Sequence, residues 1–132
     1  MRYQVVKMKW VSRSFVIEHR DHIFLFGDNL ERRGFGGQAA AMRGEPNVVG
    51  IPTKKLPSNS KDAFFTDDEF EQNKAAIDQA FECLARISSA REQIIVIPAN
   101  GLGTGRAQLE SRAPLTFAYL QKRLKELSSQ PT

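Results

Sequence analysis

Two glycine-dense stretches, each directly behind an apolar run and ahead of a helical pattern, constrain this chain more than any other feature. The first, Gly34-Phe35-Gly36-Gly37, follows His22-Ile23-Phe24-Leu25-Phe26; the second, Asn100-Gly101-Leu102-Gly103-Thr104-Gly105, follows Ile94-Ile95-Val96-Ile97. A strand apolar at every position suits the interior of a parallel sheet covered on both faces. In such a sheet the loops leaving the carboxyl ends of the strands share one edge, which is where ligands bind. Two glycine loops on that edge make a site.

The remaining pattern keeps the same alternation. Residues 3–10 read as an opening strand, and Ser12 is able to cap a short helix in the ambiguous stretch 11–20. The strand at 22–26 is expected to stop at Gly27-Asp28-Asn29. Residues 38–43 read as a helix ended by Gly44 and Pro46, and 47–51 as a strand halted by Pro52. A polar loop leads to a long helix from about Asp67, with Phe70, Ile77, Phe81, Leu84 and Ile87 on one stripe and acids crowding a first turn that favours them. A last helix is expected over 111–127, with Leu115, Ala118, Leu120, Leu124 and Leu127 on its apolar face and Pro114 in its first turn. Strands alternating with helices predict an α/β fold.

Composition sets bounds on this reading. At 132 residues, 41% hydrophobic and 26% charged, the chain fits one domain over 1–132 with a frayed tail from about 128, and wholesale disorder is excluded. Cys83, the single cysteine, forms no internal disulfide and suits a reducing compartment. No stretch reaches the roughly 18 apolar residues of a membrane span, so a cytoplasmic protein with no membrane partner is expected. Lys and Arg outnumber Asp and Glu by 19 to 15, with the excess concentrated in the first 20 residues and the sign reversed at 62–71. That distribution fits an anionic partner, nucleotide or nucleic acid, although +4 also serves plain solubility.

Glycines let backbone amides approach a ligand closely, and a following helix adds its own unpaired amides. Each loop therefore reads as a phosphate cradle, and a diphosphate clamped between them is the economical reading. Bulky replacements at Gly36 or Gly103 are expected to abolish binding while sparing the fold. Neither standard nucleotide motif is present. Gly105 is followed by Arg106-Ala107 instead of the Lys-Ser/Thr of a P-loop, and the first loop lacks the dinucleotide spacing.

Among single residues, Lys54 behind a buried strand is a candidate nucleophile or phosphate partner. Asp28, ahead of a glycine loop, is a candidate to hold a ribose hydroxyl or activate water, or else one half of a turn-forming Asp-Asn pair. Phe35, Phe64 and Phe65 are candidates to stack on a base, and Arg106 to pair with a phosphate. His19 and His22 fall at the amino end of their strand, away from the loops. No metal site and no cofactor are expected.

FGDNLERRGFGGQAAAMRG, then GIPTKK, then IPANGLGTGRAQL resemble, in that order over residues 24–120, the macrodomain family, and within it the branch of the terminal ADP-ribose–protein glycohydrolase and small phage-type relatives. The resemblance implies a three-layer α/β/α sandwich with a mixed, largely parallel sheet, and ADP-ribose or a derivative in the cleft. It implies that Asp28 and Asn29 stand beside the distal ribose and that Gly34, Gly36 and Gly37 form the first phosphate loop. Gly101, Gly103, Thr104 and Gly105 match the second loop, with Asn100, Leu102 and Arg106 among its ligand-binding positions and Thr53 beside it on the preceding motif. Lys54 matches the lysine that attacks the ribose anomeric carbon in that branch. Gly105 stands where the branch carries the aspartate that resolves the lysine adduct. The implied functions are hydrolysis of an ADP-ribosyl bond or terminal phosphate, with Asp28 and Lys54 as catalytic groups, or ADP-ribose reading without turnover. ADP-ribosylated protein or nucleic acid is the implied partner. A nucleic-acid module is a third class, suggested by Tyr3 and Trp10 amid the basic N-terminal stretch.

Overall fold

The computed structural model describes residues 3–88 and 93–128. Four strands, β1 (Tyr3–Met8), β2 (His22–Asn29), β3 (Val48–Lys54) and β4 (Gln93–Pro98), form one sheet in the order β1-β4-β2-β3. Among the described residues all three strand pairings are parallel, where a mixed sheet was expected; the one antiparallel pairing is an isolated bridge between Lys54 and Phe64. The helices are α1 (Arg13–Glu18), α2 (Ala39–Met42), α3 (Phe70–Ser88), α4 (Leu109–Arg112) and α5 (Pro114–Ser128). Ser128 closes α5, and the expected tail beyond it lies outside the described residues.

Strand geometry makes this a three-layer sandwich. Successive side chains on a strand point to opposite faces, so Ile23 and Leu25 of β2 join Ile95 and Ile97 of β4 under α3, α4 and α5. Phe24, Phe26 and Val96 face the other way, against Val16 of α1 and Ala39 and Met42 of α2. The two interior strands are buried on both faces, which is why their sequences are unbroken apolar runs.

Two strands run past the stops expected of them. β2 continues through Gly27, Asp28 and Asn29, and β3 continues through Pro52 to Lys54. β3 is an edge strand, and the only bridge on its outer side among the described residues is at Lys54, to Phe64, so the N–H that proline lacks is not missed at Pro52. A bulge between Asp28 and Asn29 pairs them with Pro52 and Lys54 and leaves Thr53 the extra residue. Ser12 does cap α1, accepting from the Phe15 amide at 3.1 Å. Ser12→Ala is expected to cost about 1 kcal/mol in chemical denaturation; no change in midpoint would show the cap idle.

The helical stripes also shift. Asn73, Ile77, Ala80, Phe81, Leu84 and Ser88 face the core from α3, while Ile87 is exposed. The expected last helix is two. The residue before a proline is pushed out of the helical region, and Ala113, at φ −147°, breaks the chain between α4 and α5. Pro114 then starts α5, whose buried residues are Thr116, Leu120 and Leu124, with Leu115 and Ala118 outside that buried set. Asp67, expected to serve its own helix start, accepts instead from the Leu115 and Thr116 amides at 2.9 and 3.1 Å and caps α5.

Candidate functional site

At the carboxyl ends of β2, β3 and β4 lies an open cleft of about 350 Å³, within the range of small-ligand sites. Its two sides are the loops behind β2 and β4, and the chain after β3 supplies Pro57, Ser58 and Asn59. Asp28, Asn29, Gly34, Phe35, Gly36 and Gly37 line it from one side, Thr53 and Lys54 from its base, and Gly101, Gly103, Thr104, Gly105 and Arg106 from the other. Asn100 and Leu102 are not on the wall. Leu102 is fully buried in the core beneath α3 and α5. Asn100 uses its carbonyl to accept from the Thr104 hydroxyl at 2.7 Å, which tightens the second loop. Phe64 and Phe65 are core residues too, and only Phe35 stands exposed at the mouth. Trp10 is exposed but off the cleft wall, and the side chain of Tyr3 lies outside what is described.

The backbone of both loops is rich in open donors. Among the described residues, no protein acceptor takes the amides of Gly36 and Gly37, nor those of Gly103, Thr104 and Gly105. The helix behind the first loop adds none of its own. It has four residues, and the amides of Ala39, Ala40 and Ala41 already donate to the carbonyls of Gly36, Gly37 and Gln38. An anion would therefore be held by the loops themselves.

Asp28 sits in a cage. Its carboxylate, almost wholly buried, receives Arg43 through Nη2 and Nη1 at 2.5 and 3.4 Å, Arg32 at 3.1 Å, and the Asn29 backbone amide at 2.8 Å. Arg43 also donates to the Gly34 carbonyl at 2.6 Å, and Arg32 to the Gly50 carbonyl at 2.6 Å. A carboxylate so occupied positions the first loop and has little left with which to activate water. Asn29 is different. Its amide nitrogen donates to the Arg33 carbonyl at 2.8 Å, while its Oδ1 is buried with no partner among the described residues. A buried acceptor left without a donor is costly, so this oxygen favours any hydroxyl or N–H that can reach it.

Lys54 ends β3 with its ammonium donating to the Ser58 carbonyl at 2.5 Å and lying 4.8 Å from the Phe64 ring centre. Burial pushes its pKa below the usual lysine value, and the positive charges of Arg106 and Arg112 push it further down. Gln38, Arg33 and Arg43 belong to the wall as well and carry no local sign of it. Gln38 ties the two loops together, accepting from the Gly27 amide at 2.8 Å and donating to the Gly101 carbonyl at 3.3 Å. Their only signal was membership of the run that carries the family resemblance. His22 opens β2 and so lies at the opposite end of the sheet. Cys83 is a partly buried thiol on α3.

The family described as a family of unknown function, DUF7831, matches residues 6–123. The chain belongs to that family. The match runs from β1 into α5 and so takes in both loops of the cleft. No curated protein and no solved structure matches the chain.

Among the described residues, no helix is long and apolar enough to cross a membrane, and no group of three or more His, Cys, Asp or Glu side chains is placed to hold a metal ion.

Proposed function

We propose that the cleft binds ADP-ribose or a close derivative and reads it without turnover, the diphosphate lying between the two loops and a sugar hydroxyl donating to Asn29. The observation that carries this reading is the buried, unpartnered Asn29 Oδ1 in a wall that otherwise offers donors and cations. Anions suit the loop amides, Arg106 and Lys54, whereas Asn29 requires a hydroxyl or another donor. A sugar joined to phosphates satisfies both. Reading is favoured over hydrolysis because the one carboxylate on the wall among the described residues, Asp28, is held by two arginines, and Gly105 brings none.

By calorimetry, ADP-ribose should bind at least about tenfold more tightly than AMP, a difference of about 1.4 kcal/mol; equal affinities would sink the two-loop clamp. Incubation with mono-ADP-ribosylated protein and with ADP-ribose-1″-phosphate should release nothing. The lowered pKa of Lys54 favours one second reading, a lysine nucleophile. Release by the wild type but not by Lys54→Ala, with a sugar adduct trapped on the wild type, would establish it.

Lys54 also gives the binding a pH signature. The fold disfavours the charged amine, so in the free protein Lys54 opposes stability while protonated, and this cost disappears as pH rises through its lowered value toward 10.5. A bound diphosphate favours the charged amine instead. Affinity is therefore expected to fall across the alkaline range below 10.5, with proton uptake on binding there, and Lys54→Met should flatten the profile.

A further inference from the structure

Arg106 reaches across the cleft. It leaves the second loop, yet a Cβ placed on Gly36 of the first loop would lie 2.9 Å from its Nη1. Gly36 is the first loop's glycine with an ordinary backbone: Gly34 and Gly37 have positive φ and Gly36 does not. It carries no left-handed strain, and the atoms a Cβ there would meet are those of the arginine head opposite. The guanidinium makes no hydrogen bond or ion pair among the described residues, although Arg33 and Arg43 on the same wall, and Arg32 next in sequence to Arg33, each hold a carboxylate. Arg106 and Lys54 instead bring two positive charges to one mouth with no acid between them. Gathering like charges is unfavourable unless an anion shares them.

We propose that Gly36 and Arg106 form one specificity device: the missing side chain at 36 lets the Arg106 guanidinium span from loop to loop, where it closes over a ligand carrying two linked phosphates and discriminates against a single one. This rests on the reading of the cleft as a nucleotide diphosphate site and deepens it, because it assigns the diphosphate preference to one side chain. The fork of a guanidinium can donate to oxygens on both phosphates at once, whereas a monophosphate takes the fork on its one group and leaves the span between the loops unbridged. Lysine in its place supplies charge without the fork.

The test measures ADP-ribose and AMP affinities by calorimetry for the wild type, Arg106→Ala, Arg106→Lys, Gly36→Ala and the Gly36→Ala/Arg106→Ala double variant, with thermal melts to check folding. Arg106→Ala should weaken ADP-ribose about tenfold or more and AMP less than about threefold, and Arg106→Lys should recover only part of the loss. Gly36→Ala should melt like the wild type, since only the flexible end of an arginine must move, yet should weaken ADP-ribose several-fold. The double variant should bind no worse than Arg106→Ala alone, because both changes remove the same contact. Additive losses, or ADP-ribose binding unchanged in Arg106→Ala or in Gly36→Ala, would overturn the device while leaving the cleft a binding site. A wild type that binds neither nucleotide would overturn the reading of the cleft itself.

Discussion

Asp28→Asn is expected to lower the thermal midpoint by roughly 10 °C, equivalent to about 3 kcal/mol in a chain of this size. The substitution keeps the shape and removes the charge. Arg43, itself mostly buried, would then face an amide that offers one acceptor where it now has two carboxylate oxygens. Breaking a buried ion pair from one side is costly because the partner's charge stays behind uncompensated. Arg32 is more exposed and can turn to water, which keeps the loss at the lower end. Because Arg43 also holds the Gly34 carbonyl, ADP-ribose binding should weaken along with stability. A midpoint within about 3 °C of the wild type, by calorimetric scan, would mean that the cage contributes little to folding.

Two glycines in the second loop should differ sharply. Gly103 has φ +77°, and a Cβ there would meet Leu109 Cδ2 at 2.9 Å and Leu109 Cβ at 3.0 Å. A β-branched residue in the left-handed region costs about 1–2 kcal/mol, and forcing a methyl into a packed core costs about as much again. Leu109 is fully buried and α4 starts on it, so it has nowhere to retreat. Gly103→Val is therefore expected to lose about 3 kcal/mol together with ADP-ribose binding. This replaces the expectation that bulk at Gly103 would spare the fold. Gly105, two residues on, has no positive φ, and a Cβ added to it would meet no atom within 4 Å. Gly105→Ser should stay within about 0.5 kcal/mol of the wild type. Equal losses in urea denaturation would show that the loop responds to any side chain, independent of this geometry.

Gly105 matters for a second reason. It has no positive φ and open space around a Cβ, so neither left-handed strain nor crowding accounts for the absence of a carboxylate at that position.

Much of this architecture was legible in the residues. The apolar runs at 23–26 and 94–97 announced interior strands because a strand buried on both faces has no room for polar alternation. The parallel order and the shared edge of the two glycine loops followed from alternation of strand and helix. Ser12 declared its helix because a cap is a contact three residues long. Lys54, Asn29 and most loop positions met on one wall as their placement after strands implied.

What the sequence could not give were contacts whose partners lie far apart along the chain. Pro52 stops a strand by any local rule and is harmless once β3 is an edge, which only the sheet order decides. Asp67 is an acid in a helical first turn until tertiary packing brings the start of α5, 48 residues away, within reach of its carboxylate. Asp28 reads as a free catalytic group because Arg43 is 15 positions away on another element, and only the folded sheet brings the guanidinium onto it. The unpartnered oxygen of Asn29 and the arginine lying over Gly36 belong to the same class. Period and propensity record what each residue does with its neighbours in sequence; burial and charge pairing are set by neighbours in space, and those determined which groups in this cleft are occupied and which are open to a ligand.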